Sequence, residues 1–443
     1  MMDYLRRRFD RLNPRTQRLL RTAVVNYFAR FASALTVLIT IPMARQTMSG
    51  ERFGIWMMLG ALLTFFSFAD FGVGNGALNR VTAALRKGDK LELGRAMSAA
   101  YCCTAVSGAL LIALWFVWAF AAKDPLAFAG KVPEVLRRET LVAFSAFVVL
   151  VAVNIPLQLV QKFQLAYQEG YRIGFAQLAY SLCTVISLPL ALYFKTSLVV
   201  LLLCTLGMQV FVQLVNMATW FSARGLFDIL RHAGLHAPTV LHLLRTGSAF
   251  FMLQLCAVLA YNSDAFFITQ QLGQAVYGDF AAVQRIFLFV SGTLGAALLG
   301  LWPAFGEAIG RGEIAWVRRT YTRAMLMAIA VMGSICLFIT FAMPLIARYW
   351  LHMDVPPATV LPLVLGTWAV IDMLEKITTS LLNGAGLLRP QLLAAMAMAA
   401  AALAGKWLLV SLVGPWGSVL ATILAYTLIV VPVQIILLRR LLV

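Results

Sequence analysis

Leu141-Val-Ala-Phe-Ser-Ala-Phe-Val-Val-Leu-Val-Ala-Val-Asn-Ile-Pro-Leu-Gln-Leu-Val160 runs for twenty residues without an Asp, Glu, Lys or Arg. At 1.5 Å per residue a helix of that length spans about 30 Å, the thickness of the hydrocarbon layer of a bilayer. Lipid offers no partner for backbone N–H and C=O groups, so such a run must be helical to satisfy them internally. Working outward, comparable runs lie near 23–45, 53–77, 96–121, 140–163, 173–193, 196–222, 246–270, 281–305, 321–347, 359–384, 389–412 and 416–437. The expected fold is therefore all-α, a polytopic membrane protein of twelve transmembrane helices.

Composition agrees. The chain has 443 residues, of which 61% are hydrophobic and only 12% charged. A soluble domain carries roughly 25% charged residues, so lipid is the main solvent. The first twenty residues hold Arg6, Arg7, Arg8, Arg11, Arg15 and Arg18 with no apolar core, so no cleavable signal peptide is expected. The six cysteines (Cys102, Cys103, Cys183, Cys204, Cys256, Cys336) all fall inside apolar runs and read as small buried hydrophobes. His232, His236 and His242 are interrupted by Gly234 and Pro238, so no metal site is expected.

Charge sets the orientation. With twelve spans, the termini and the even-numbered connections share one side, which holds 24 Lys and Arg against eight on the other. The positive-inside rule then places both termini in the cytoplasm. The net charge of +18 is explained by this asymmetry and calls for no nucleic-acid partner. Membrane lipids are the expected neighbours of the arginine-rich start.

The sequence also repeats. At a fixed offset of 224, Arg21-Thr22 falls on Arg245-Thr246, Arg52-Phe53-Gly54 on Val276-Tyr277-Gly278, and Lys87-Gly88-Asp89 on Arg311-Gly312-Glu313, while Arg95 falls on Arg319. An even number of helices per unit gives two halves pointing the same way, related by a pseudo-twofold axis along the membrane normal. The expected division is a six-helix bundle over 1–222, an amphipathic cytoplasmic linker over 223–245, and a second six-helix bundle over 246–443. In such a plan the substrate site lies between the halves.

Met48-Ser-Gly-Glu-Arg-Phe-Gly-Ile-Trp56, Ala69-Asp-Phe-Gly-Val-Gly-Asn75 and Arg86-Lys-Gly-Asp89 come in order and at characteristic spacing. Tyr261-Asn-Ser-Asp-Ala265, Leu301-Trp-Pro-Ala-Phe305 and Leu382-Asn-Gly-Ala-Gly386 follow in the second half. With these motifs the chain resembles the polysaccharide-flippase (Wzx-type) branch of the MATE-like MOP exporter superfamily. The resemblance implies a V-shaped pair of bundles that alternates between inward and outward openings. It implies an undecaprenyl-pyrophosphate-linked oligosaccharide as cargo, moved across the bacterial inner membrane to the periplasmic leaflet for O-antigen, capsule or exopolysaccharide assembly. Other polysaccharide-assembly proteins would be its partners.

Ionisable residues within spans are costly, roughly 2.5–3.5 kcal/mol each on insertion scales, and so become candidates. Arg30 fits a pyrophosphate contact, or a structural pair with Asp70; Asp70 before Gly72 and Gly74 fits a hinge at the gate. Asp264 fits a coupling carboxylate for H⁺ or Na⁺, or a hydrogen-bonded acid. Asp372, Glu375 and Lys376 sit at spacings that allow an Asp372–Lys376 ion pair and a place in the cavity wall. Lys406 and Arg285 fit either a cavity wall or snorkelling to the interface. Without a G-x-x-x-x-G-K-[ST] run, any driving force is an ion gradient, the membrane potential or removal of the product. Two alternatives stand beside the flippase reading: a MATE-type exporter of cationic drugs, and a membrane glycan polymerase or glycosyltransferase. Arg30 in place of an acid in the first helix argues against the exporter. The short extramembrane connections argue against the enzyme.

Overall fold

The computed structural model describes residues 14–66, 70–295, 298, 301–353 and 359–442. The arginines up to Arg11 and Ala69 of the second motif lie outside them. The described residues are helical almost throughout. In chain order the helices are α1 (Pro14–Thr47), α2 (Gly50–Phe66), α3 (Val73–Lys87), α4 (Lys90–Ala121), α5 (Glu134–Leu157), α6 (Leu159–Ala166), α7 (Gly170–Tyr193), α8 (Leu198–Leu202), α9 (Met208–Arg224) and α10 (Leu226–Ala233). They continue as α11 (Ala237–Asn262), α12 (Asp264–Leu272), α13 (Gln274–Gly295), α14 (Leu301–Gly310), α15 (Ile314–Leu345), α16 (Val360–Gly384), α17 (Leu388–Val413), α18 (Trp416–Ala425) and α19 (Val431–Leu442). Among the described residues, eight runs are long and apolar enough to cross a membrane: 25–47, 90–121, 134–166, 170–193, 198–224, 314–350, 389–413 and 416–442. The chain is a multi-pass membrane protein.

The remaining apolar stretches are broken or charged, and the breaks have local causes. Between α2 and α3, Phe71 and Gly72 both take left-handed backbone (φ 51° and 73°). The Asp70 carboxylate accepts from the N–H of Gly72 at 2.9 Å and of Gly74 at 3.0 Å, which caps the incoming helix. The backbones of Gly72 and Gly247 touch there, and a Cβ on either would collide. Between α11 and α12 the break falls at Ser263, and Asp264 opens the new helix where its charge suits the positive helix end. α16 is unbroken but carries Asp372, Glu375 and Lys376 near its middle.

The 224-residue repeat has a structural counterpart. At the end of α3, Gly88 (φ 69°) donates to Leu85 and Asp89 to Ala84, at 3.3 and 3.1 Å. At the end of α14, Gly312 (φ 74°) donates to Ile309 and Glu313 to Ala308, at 3.0 and 2.9 Å. Each is a Schellman cap, and each requires a residue that tolerates positive φ.

The chain forms two compact units. The first comprises residues up to 47, 62–125 and 137–252. Within it α1 lies along α7, tied by Ser33–Ser181 at 2.9 Å and by Thr36 donating to the Ser181 carbonyl at 3.3 Å. Gly174 admits Asn26 of α1 at close range. Interhelical hydroxyl bonds of this kind suit lipid-embedded packing, where apolar contact alone discriminates little. A core of Val81, Met97, Phe163, Trp220 and Phe221 joins α3, α4, α6 and α9.

At the edge of that core Glu169 is almost buried. It accepts from Trp220 Nε1 at 2.7 Å and pairs with Arg224 and with Arg172 at 3.3 Å. The Arg224 guanidinium also stacks 4.6 Å over the Tyr167 ring. Burial raises the Tyr167 phenol above its usual pKa, and Arg224 opposes that shift. Glu169→Ala strands a buried indole N–H and two guanidinium groups. It should cost about 2 kcal/mol, read as a lower unfolding midpoint in detergent, whereas Glu169→Gln should recover part of the loss.

The second unit comprises 48–61, 126–136 and 253–443. Here α2 and α13 cross at glycines: a Cβ on Gly54 would run into the Gln274 carbonyl, and one on Gly278 would lie 3.0 Å from Gly54 Cα. Gly54 and Gly278 are equivalent positions of the repeat, and their backbones touch. Two small clusters fill the rest: Cys256, Ala260, Met398, Ala402 and Tyr426, and separately Phe305, Ala308, Val317 and Leu381.

Candidate functional site

The second unit holds a cavity of about 320 Å³. Its walls come from α16 (Trp368, Asp372, Lys376), α13 (Gln284, Ser291), the α11–α12 break (Tyr261, Asn262, Asp264) and α18 (Val419, Thr422). Helical spacing explains the first group: Trp368, Asp372 and Lys376 are each four residues apart and share one face.

The charges in this wall are paired. Lys376 Nζ lies 2.5 Å from Asp372 Oδ2 and donates to Ser291 Oγ at 2.9 Å. Ser291 in turn donates to Asp372. The pair is partly open, with the Lys376 side chain 40% exposed and that of Asp372 25%. Asp264 is held more tightly. It accepts from Gln284 at 3.0 Å and from Ser418, and it pairs with Lys406 at 2.7 Å. Lys406 also donates to Ser263 at 3.1 Å.

The expectation that Lys406 faces the cavity or the interface is not met. Its side chain is 0% exposed, because an ammonium inside the bundle is stabilised by Asp264 and the Ser263 hydroxyl rather than by water. Asp264 reaches the cavity wall with its charge already balanced.

Glu375 points to a second cavity of about 240 Å³, lined by Cys256, Tyr261, Gln391, Met398 and Gln434 among others. Tyr261 borders both cavities and donates its hydroxyl to Glu375 at 3.3 Å. Arg285 is half-buried on α13, with its guanidinium against Gly60 of α2. Arg30 is exposed on α1, in the first unit, and Asp70 serves there as a helix cap. Of the eight residues singled out by sequence, the structure gathers five in one unit around two adjoining cavities or the pair behind them: Asp264, Asp372, Glu375, Lys376 and Lys406. Ser291, Ser418 and Gln284 carried no sequence signal, since single hydroxyls and amides are common in spans. Trp368 was findable as the residue four before Asp372. Among the described residues, no three His, Cys, Asp or Glu side chains converge as a metal ligand set.

Comparison with solved structures shows how general this architecture is. An inward-facing multidrug-resistance MATE family transporter of the MOP superfamily superposes with a TM-score of 0.68, at 16% identity, over 94% of this chain and 98% of that one. The fold is that of the MOP-superfamily transporters. The lipid II flippase MurJ, in an inward closed conformation, has the same score at 12% identity, over 94% of this chain and 87% of its own. At these identities the MOP fold is what is shared. By sequence, a Salmonella typhimurium (strain LT2) protein named for O-antigen transport is 24% identical over 270 residues. The match spans 58% of this chain and 58% of that protein's length. No family model matches the chain.

Proposed function

We propose that the protein is a flippase that moves a polyprenyl-pyrophosphate-linked oligosaccharide from the cytoplasmic to the periplasmic leaflet of a bacterial inner membrane. Both termini are cytoplasmic in this reading, which rests on the 24-to-8 distribution of Lys and Arg. The MOP fold and the O-antigen-transport relative support it. The single observation that carries the chemistry is Lys376, partly exposed in a cavity and paired there with Asp372.

A glycan headgroup cannot enter hydrocarbon, because its unpaired hydroxyls cost several kcal/mol each. A polar cavity replaces the lost water, while the polyprenyl tail stays in lipid. The headgroup's phosphate competes with Asp372 for the Lys376 ammonium. Asp372 holds the lysine when the cavity is empty and gives way when a multiply charged anion arrives. Ser291 bridges the two side chains and can follow either. Return to the empty state is driven by a proton or sodium gradient or by removal of the product.

Vesicles containing the full chain and a fluorescent undecaprenyl-pyrophosphate glycan test the reading. Wild-type protein should expose the glycan to the opposite leaflet. Lys376→Ala removes a charge-assisted contact worth about 1.5–3 kcal/mol and should slow transport roughly tenfold or more. Lys376→Arg should retain most of it. Vesicles that flip no glycan would overturn the proposal.

A second reading, export of organic cations, is favoured by Glu375, whose carboxylate has no cationic partner within 4 Å among the described residues. Cation efflux from the same vesicles without glycan flipping would establish it instead.

A further inference from the structure

Trp368 and Tyr261 form an aromatic corner beside the Asp372–Lys376 pair. Their ring centroids are 5.3 Å apart and their planes are tilted by 36°. Tyr426 packs edge-on against Trp368, at 6.0 Å and 79°. Tyr426 is itself fixed by donating to Gln434 at 3.1 Å. The Tyr261 hydroxyl is anchored on Glu375. Both cavity-facing rings are thus held from behind and from the side, which gives a rigid apolar surface.

The same cavity is also lined by Asn262, Gln284 and Thr422. The Asn262 amide and the Trp368 indole N–H are engaged by no side chain or carbonyl among the described residues. The Asp264 carboxylate is balanced by Lys406, and Glu375 lines the adjoining cavity behind Tyr261. An apolar plate bordered by the Asn262 amide, the Trp368 indole N–H and the Gln284 amide oxygen matches a pyranose. One face of that ring is carbon-bound hydrogen, and its rim is hydroxyl. A small organic cation has no use for the rim, and an acyl chain has no use for the amides.

The spacing fits a phosphorylated sugar. Lys376 reaches back one helical turn to Asp372. Roughly one further turn, about 5 Å along the axis, leads to Trp368. That is comparable to the distance from a phosphate to the ring it esterifies. Resting on the flippase reading above, we infer that Trp368 and Tyr261 are a stacking platform for the sugar attached to the pyrophosphate. Asn262 and Gln284 engage its hydroxyls, and Lys376 holds the phosphate. Phosphate capture and sugar recognition are then separable functions of one face of α16.

Two probes test this on the full chain in detergent: undecaprenyl pyrophosphate, and the same lipid bearing one N-acetylglucosamine. Affinity is read from ligand-dependent shifts of the unfolding midpoint. Wild-type protein should bind both, the glycosylated lipid more tightly. Trp368→Ala should weaken the glycosylated lipid about tenfold and the sugar-free lipid less than about twofold. Trp368→Phe, which keeps a ring and guards against misfolding, should retain most of the preference. Lys376→Ala should weaken both probes alike. Equal losses for the two probes in Trp368→Ala, or none for either, would overturn the platform and leave the flippase reading standing. Wild-type protein that binds neither probe would overturn both.

Discussion

Replacing Lys406 with methionine while Asp264 stays in place should destabilise the protein by about 3–5 kcal/mol. Methionine fills nearly the same volume, so packing changes little. What changes is charge. Asp264 is left with Ser418 and Gln284 as its remaining partners, inside a bundle where its side chain is 7% exposed. An uncompensated carboxylate there must either remain ionised in a poor solvent or take up a proton, and both cost free energy. The double variant Asp264→Asn, Lys406→Met removes both charges and should recover much of the stability, because a buried ion pair is costly to break yet nearly neutral to replace. Denaturation in detergent measures the difference. If Lys406→Met unfolds at the wild-type midpoint, the pair contributes nothing and the lysine's burial is incidental. The four helices that meet at this pair (α12, α13, α17 and α18) make it a staple of the second unit.

Gly54→Val is the second large effect. The position sits where α2 crosses α13, and a Cβ there would occupy the space of the Gln274 carbonyl. That obstacle is backbone and cannot rotate aside, so the helices must separate. The expected loss is about 3 kcal/mol, at the upper end of overpacking costs. Gly333→Val serves as the control: its Cβ meets nothing within 4 Å, and the change should be close to neutral. Equal behaviour of the two variants in an unfolding titration would show that the crossing is looser than the close glycine contact requires.

These two sites differ in how legible they were. Gly54 and Gly278 stood out as matched positions of a 224-residue repeat, whereas their contact was seen only in the structure. Lys406 was visible only as a charge inside a span. Sequence left snorkelling and cavity lining open for it, and neither is the case, because its partner Asp264 lies on a helix far away in the chain. Asp372 and Lys376 could be paired from spacing alone, since four residues make one turn. That Ser291 completes the arrangement from α13 could not be read from spacing of any kind. Asp70, read from sequence as a hinge residue at the gate, also caps the helix that follows it through the N–H groups of Gly72 and Gly74.

The sequence by itself determined that this chain lives in lipid and that it is helical. It also determined that two like segments recur at a constant offset. Those properties depend on local hydrophobicity and short-range hydrogen bonding, which neighbouring residues set without reference to the rest of the chain. Only the tertiary structure decided which buried charges neutralise one another and which remain open to a cavity. It also decided which rings form that cavity's wall. An ion pair or a cavity between helices is a relation among positions distant in the chain. Its free energy depends on distances of a few ångströms that no one-dimensional pattern encodes.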